Sequence, residues 1–410
     1  HGTRNLFEEG KGFHSMASLV FDSENGRRHL PFADLMQTYM DKNNDLTLIG
    51  TTLMLLGWGT VMVYSTSAPF AEIQYQNSHF FLQRHLIHIV LGAGALLIGL
   101  RLDYHHWRQW GPWLMILMFV MLILVLLPEI GLEVNGARRW LRFSEIGFQP
   151  VELLKLVLII YIASFLERKQ ELLASFFRGP TPIFLTSGAF LFLVLMQPDF
   201  GSAVLIAMTV LIMLYVGGGR PLHIFSSLLG MSLIGILLIS SHAYRVRRML
   251  AFLNPWDDPL NSGFQIIQSY IALGTGGWFG RGLGESHQKL FFLPDSHTDF
   301  IFAIVGEELG FVWVCVLVGL FSLFIWRGYW ISWNAPDSFG QYLAFGVTTI
   351  LSLHIILNLF VVTGLLPTKG LPLPFISYGG TNLLSTLFMT GILLNISRQI
   401  IPYRVPPGQE

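Results

Sequence analysis

The sequence predicts an all-α polytopic membrane protein of about ten transmembrane helices, with a large extracytoplasmic loop between the seventh and eighth. Three observations carry this. Charged residues make up 12% of the 410, about half the roughly 25% usual in soluble domains. Hydrophobic types reach 52% and mean hydropathy is +0.56. Apolar stretches near the length of about 20 residues that a bilayer crossing needs recur along the chain, bounded by Pro, Gly or charge. The formal net charge is zero, so there is no basic excess to neutralise a duplex, and nucleic acid is not a partner. The single cysteine, Cys315, lies within an apolar run and excludes a disulfide framework or a cysteine metal site.

The expected crossings are residues 46–66, 85–102, 110–127, 151–166, 181–196, 200–216, 222–241, 299–326, 341–366 and 375–396. The fifth and sixth meet at Gln197-Pro198-Asp199, either a tight hairpin or the break in one helix. An even number of crossings puts both termini on one side. Lys and Arg are slightly more numerous there, which assigns that side to the cytoplasm. Residues 1–44 are read as a cytoplasmic tail without the continuous apolar stretch of a signal peptide. Met40 reads as a natural start, so the first 39 or so residues are expected to be a leader, a cloning remnant or a disordered tail. Residues 45–398 form the membrane domain and 399–410 a cytoplasmic C-terminal tail.

Cations on the opposite face are clustered: Arg138, Arg139 and Arg142 in one loop, Arg245, Arg247, Arg248, Arg281 and Lys289 in another. Either an anionic ligand meets them outside the cytoplasm, or they pair with Glu129, Glu133, Glu145, Asp257 and Asp258. The long stretch 242–298 exceeds a mere connection and includes 264–273, which reads as an amphipathic re-entrant or interfacial helix followed by a Gly-rich turn. Asp299 stands at the outer mouth of the eighth crossing, in line with Gly306 and Gly310 on a helical wheel, above a groove that admits another helix or a lipid chain. It is either a carboxylate capping the helix or a functional group. Glu307 and Glu308 lie deeper, where ionisable groups are functional or paired, and Glu307 is the better placed to communicate with Asp299. Glu152 and Lys155, three residues apart, form an intramembrane ion pair unless Lys155 faces a phosphate. No nucleotide-binding loop and no zinc-spaced cluster occurs.

Six stretches resemble the SEDS family (shape, elongation, division and sporulation): Asn135 to Trp140, Phe148 to Lys155, Gln197-Pro198-Asp199-Phe200-Gly201, His297 to Ala303, Glu307-Glu308-Leu309-Gly310 and Pro372 to Gly380. The resemblance covers about 45–398. Gly284 to Leu290 and Leu366 to Gly370 are more like the division member than the elongation member. Pro294-Asp295-Ser296 departs from the commoner Pro-Glu-Ala.

The resemblance implies a peptidoglycan glycosyltransferase that polymerises lipid II, the undecaprenyl-pyrophosphate-linked disaccharide peptide, at the outer face of the bacterial cytoplasmic membrane during septal cell-wall synthesis. It implies Asp299 as the general base on the acceptor hydroxyl. The expected substrate-binding set is Arg138, Arg139, Trp140, Glu152, Lys155, Gln265, Gln268, His297, Lys369 and Ser377. Of these, Arg138, Arg139, Lys155 and Lys369 are candidates to neutralise the pyrophosphate, and Gln265, Gln268 and Ser377 to bond sugar hydroxyls. No cofactor is required by the motifs, although a divalent cation, magnesium or manganese, would suit a pyrophosphate leaving group. Implied partners are a cognate class B penicillin-binding protein transpeptidase and other divisome proteins. Two rival readings stay open: a lipid II flippase, which the buried charges also permit, and a non-catalytic division scaffold.

Overall fold

The computed structural model describes residues 45–400 apart from 135, 144, 145, 241 and 242. The expected N-terminal tail and nearly all of the C-terminal one lie outside the described residues, as do Asn135 and Glu145 and the side chains of Arg142 and Arg245.

Each apolar run falls largely within a helix, although the helices of the first and eighth runs extend well past the expected ends, to Tyr75 and Asn334. In chain order these are α1 (Leu46–Tyr75), α2 (Phe80–Arg101), α3 (Tyr104–Leu126), α4 (Pro150–Lys169), α5 (Pro180–Met196), α6 (Phe200–Val216), α7 (Pro221–Ser240), then α8 (Ala243–Leu253) and α9 (Phe264–Gly276) within the long loop, and α10 (Ile301–Asn334), α11 (Ser338–Val362) and α12 (Gly380–Gln399). The starts are chemically marked. Asp45, Asp103, Asp199 and Asp337 each accept a backbone N–H from the first turn of α1, α3, α6 and α11, satisfying donors that a helix leaves orphaned. Pro150 and Pro180 open α4 and α5, where a missing N–H costs nothing. By length and apolarity α1, α2, α3, α10 and α11 can each cross a membrane, whereas α5 and α6 have 17 residues.

The helices close up where side chains are small. A Cβ on Gly391 of α12 would sit 2.3 Å from the Leu96 carbonyl of α2, and one on Gly99 would sit 2.8 Å from the Phe388 carbonyl, the packing mode expected where lipid tails remove the hydrophobic drive between helices. The central helix is α11, buried along most of its length, and α4 is apolar and buried nearly all round.

Two features depart from the expected fold. Residues 131–148 form a three-stranded antiparallel sheet, β1 (Gly131–Val134), β2 (Ala137–Phe143) and β3 (Ile146–Phe148), in that order. Val134 pairs with Ala137 and Gly136 takes φ +74°; the Asn135-Gly136 dipeptide was the hairpin signal. The long loop holds α8 in addition to the expected α9.

The Gly306/Gly310 groove is filled by the chain itself. Gly310 breaks α10 with φ +80° and ψ −179°. The turn after α9 occupies the break, with Phe311 and Val312 donating to the Gly277 and Trp278 carbonyls at 2.9 and 3.1 Å, so backbone groups freed by the kink find partners. Gly280, at φ +78°, has no room for a side chain, since its Cβ would lie 2.1 Å from the Glu308 carbonyl. Gly280→Ala is therefore expected to cost about 2 kcal/mol or more and to lower the melting temperature of the detergent-solubilised protein. Gly274→Ala, with open space around it inside α9, should leave it unchanged or raise it slightly; equal melting temperatures for the two variants would contradict this packing.

Candidate active site

A cavity of about 890 Å3 opens where β2, the α5–α6 turn, α8, the start of α9, the segment before α10 and the 363–379 loop meet. Asp299 lies in its wall. The sheet contributes Ala137, Arg139 and Trp140, the α5–α6 turn Pro198, Asp199 and Phe200, and α8 supplies Arg248 and Met249. Gln265 from α9 and Lys369, Gly370 and Tyr378 complete the lining.

The backbone carrying Asp299 is fastened at three successive carbonyls. Tyr378 N–H donates to the His297 carbonyl at 3.0 Å, Ser377 Oγ to that of Thr298 at 2.5 Å, and Asn358 Nδ2 of α11 to that of Asp299 at 2.8 Å. Asn358 also donates to the Leu371 carbonyl at 2.7 Å, joining the two loops. α10 begins at Ile301 with no side-chain cap, so Asp299 is not the capping carboxylate that the sequence allowed. Its Oδ2 would be 3.3 Å from a Cβ on Gly370, which leaves space there for a ligand atom or water but not for a larger residue.

Burial, then the neighbouring Asp295, and also Asp199, raise the Asp299 carboxyl, while Arg139 and Arg248 pull it down; the balance leaves it at about 7. Its environment resists a charge that its neighbours nevertheless support. Burial also lowers Lys369 from the usual ammonium range, and its Nζ lies 5.6 Å over the Phe200 ring. Arg139 is held in place by the α5–α6 turn: Nε donates to the Gln197 carbonyl at 3.2 Å and an Nη to that of Pro198. Arg248 reaches the Thr368 carbonyl at 3.5 Å, linking α8 to the Lys369 loop.

Several residues expected to bind substrate stand elsewhere. Arg138 lies outside the lining, partly exposed, with Nε 3.0 Å from Glu133 across the hairpin; the register that places it opposite Glu133 gives it a partner. Glu152 and Lys155 are buried and pair at 2.8 Å, with Asn382 donating to the second Glu152 oxygen at 3.0 Å, so Lys155 faces a carboxylate and not a phosphate. Ser377 donates its hydroxyl to the Thr298 carbonyl and accepts from Leu373 N–H at 2.8 Å, a loop clasp that uses its one donor. His297 stacks among Phe70, Phe81 and Tyr378 behind the wall. Gln268 is not in the lining, whereas Gln265, one turn earlier, is. The partners of Glu307 are on the 281–288 segment and not in the cavity.

Sequence reading missed Arg248, Asp199, Asp295 and Tyr378 as cavity residues. Asp199 and Tyr378 stand in two of the family-like stretches and Arg248 in the outer cationic cluster, but none was assigned to the cavity. Among the described residues no three His, Cys, Asp or Glu side chains are grouped to hold a metal ion, and Asp199 uses both oxygens on Ser202.

Residues 46–400 match the family model described as cell cycle protein, FtsW/RodA/SpoVE. The chain belongs to that family. This SEDS membership, read earlier from six short stretches, extends across the whole helical domain. Among similar proteins, one from Geobacter metallireducens named "Probable peptidoglycan glycosyltransferase FtsW" is 44% identical over 360 residues, covering 87% of this chain and 95% of that protein. Stage V sporulation protein E of Bacillus subtilis is 44% identical over 357 residues, 86% of this chain and 97% of that one. Of solved structures, a chain from work described as "Structural coordination of polymerization and crosslinking by a peptidoglycan synthase complex" superposes with TM-score 0.71 at 28% identity, covering 87% of this chain and 98% of its own. The rod shape determining protein RodA of Thermus thermophilus does so with TM-score 0.66 at 26% identity, covering 88% and 98%. This FtsW/RodA/SpoVE member is thus a multi-pass α-helical membrane protein.

The raised carboxyl of Asp299 carries a stability consequence. A folded-state pKa of about 7 against the ordinary 3.8 means that the native state holds the proton more tightly than the unfolded chain, so stability falls as pH rises from about 4 to about 7. Asp299→Asn removes that dependence. It is expected to raise the melting temperature more at pH 8 than at pH 5, measured by thermal shift of the purified protein; an equal change at both pH values would show that the Asp299 carboxyl is not raised as described.

Proposed function

We propose that this chain is a peptidoglycan glycosyltransferase that polymerises lipid II at the outer face of the bacterial cytoplasmic membrane during septal wall synthesis, with ten crossings and both termini in the cytoplasm. The observation that carries it is the placement of Asp299, a carboxylate near pKa 7 in a large cavity walled by Arg139, Arg248 and Lys369. The similarity at 44% identity to a protein named a peptidoglycan glycosyltransferase supports the same reading.

The chemistry needs three things: an acceptor hydroxyl relieved of its proton, a pyrophosphate leaving group whose growing charge is met, and two lipid-linked sugars held in line. Asp299 takes the proton from the acceptor 4-hydroxyl as that oxygen forms its bond to the anomeric carbon of the donor, with inversion. The bond from that carbon to the pyrophosphate oxygen breaks as the new one forms. A base whose pKa lies near the working pH combines a useful ionised fraction with real proton affinity. The leaving group departs as an anion and needs no acid, so one carboxylate suffices. Arg139, Arg248 and Lys369 meet its charge. Arg139 is prealigned by two carbonyls, which reduces the ordering required when the ligand arrives. Trp140 and Gln265 face the sugars. Similarity to a chain of a synthase complex that couples polymerisation with crosslinking supports a class B penicillin-binding protein as partner, together with other divisome proteins. The buried charges on which a flippase reading rested are neutralised within the protein, Glu152 by Lys155 and Glu308 by Lys289.

Purified protein given lipid II should form glycan chains, and Asp299→Asn and Asp299→Ala should abolish polymerisation while remaining folded. Retained polymerisation by either variant would end the base assignment. The rate should fall about tenfold per pH unit below an inflection near 7, as ionisation of one carboxyl requires; a flat profile from pH 5 to 8 would contradict it. Arg139→Ala and Lys369→Ala should raise the lipid II concentration needed for half-maximal rate by about tenfold or more, since a lost charge-assisted contact is worth roughly 1.5–3 kcal/mol, whereas Arg138→Ala should leave it unchanged.

A further inference from the structure

Glu307 and Glu308 are fully buried in α10 and take no part in the reaction described above. Their partners are specific. Glu307 accepts N–H groups of His287 and Gln288 at 3.0 and 3.2 Å and the hydroxyl of Ser286, with Arg281 Nη1 at 3.7 Å. Glu308 accepts Lys289 Nζ at 2.7 Å and Ser65 Oγ of α1 at 2.7 Å, and Lys289 Nζ also donates to Ser65 Oγ at 3.1 Å. The carbonyls of the same two glutamates accept Arg281 and Gly282 N–H at 3.0 and 2.9 Å. Main chain and side chains of two adjacent residues therefore fix 281–289 in place. From Lys289 the chain has little slack before the base: Leu293 N–H turns back to the Gln288 carbonyl at 2.9 Å, and Thr298 and Phe300 N–H both close on the Asp295 carbonyl.

We propose that Glu307 and Glu308, with Lys289 and Ser65, are positioning residues for Asp299: they fasten the segment that leads into it to α10 and α1. The inference rests on the reading of Asp299 as base. Through it α1, which adds nothing to the cavity lining, sets the alignment of the carboxylate. A buried ion pair adds little to stability against an apolar replacement, and its best-attested use is to specify one arrangement among several. Here the arrangement specified is that of the base. A separate cavity of about 390 Å3 lies over the pair, between Tyr64 and Pro69 of α1 and Glu285 and Leu290, so a neutral replacement has space in which to relax.

The test is the doubly neutral variant Lys289→Met/Glu308→Gln, which leaves no uncompensated charge. With melting temperature close to wild type, kcat for lipid II polymerisation should fall about a hundredfold, the scale of loss from a displacement near 1 Å, at nearly unchanged KM. The acid limb of the pH–rate profile should move down from near 7, because a loosened carboxylate meets more water among its neighbours Asp295, Asp199, Arg139 and Arg248. Lys289→Arg, which keeps the charge, should retain most of the rate. Wild-type kcat and an unmoved acid limb in the double variant would overturn the proposal and leave the pair structural. Should the double variant not fold, Ser65→Ala removes only the α1 tether; it should lower kcat and shift the limb in the same direction, and no change in either would be equally decisive against it. Asp299→Asn assayed beside them separates the two readings: polymerisation by that variant sinks the base itself, whereas its inactivity beside a fully active double variant sinks only the positioning role.

Discussion

A half-buried aspartate set between two like and two opposite charges is the constraint on which the architecture depends. Burial, Asp295 and Asp199 favour the protonated Asp299; Arg139 and Arg248 favour the ionised form. Neither set can be removed without losing a base that is both ionised near neutral pH and able to hold a proton. The same residues serve two steps, since the cations that keep Asp299 ionisable are those that would meet a pyrophosphate. An anion bound in the cavity would weaken their hold on the carboxylate and raise its proton affinity as substrate arrives.

The fold supplies the rigidity this balance needs. A cation 1 Å further from Asp299 changes its field appreciably where the dielectric is low, so the elements around the cavity are tied to one another at the backbone. Asn358 of α11 joins the Asp299 and Leu371 carbonyls, Ser377 ties its own loop to Thr298, and the α5–α6 turn fixes Arg139. Below them α10 bends at Gly310 to receive the Gly-rich turn after α9, in a contact too close for any Cβ at Gly280. The glycines that mark a groove for a helix or a lipid chain on a helical wheel receive the protein's own α9 and the turn after it, and that loop continues into the segment bearing Asp299.

The helices were legible because hydropathy and boundary residues are local properties: a run of apolar residues between Asp, Pro and Gly gives the same answer before and after folding. The sheet at 131–148 was not legible because its strands are short and carry charges, and only the turn at Gly136 punctuates them. Within the site, Asp299, Arg139, Trp140, Gln265 and Lys369 were found and do line one cavity. Arg138, Lys155 and Ser377 were named for the same chemistry, yet each has a partner of its own: Glu133 opposite in the hairpin, Glu152 three residues away, and the Thr298 carbonyl. Residue type states what a side chain can bond to, and only tertiary structure states what it does bond to. Arg248 was named only as one of a cluster of outer cations, because its helix sits inside a long loop and sequence alone does not show which member of the cluster reaches the cavity.

The most direct test of this account is the titration of Asp299 itself, read as the carboxyl band in the infrared difference between the wild-type protein and Asp299→Asn in lipid nanodiscs. A protonated carboxyl band is expected at pH 5 and is lost with a midpoint near 7. A midpoint in the ordinary carboxylate range, near 4, would contradict it, because Asp299 would then be a solvated surface charge and not a poised base.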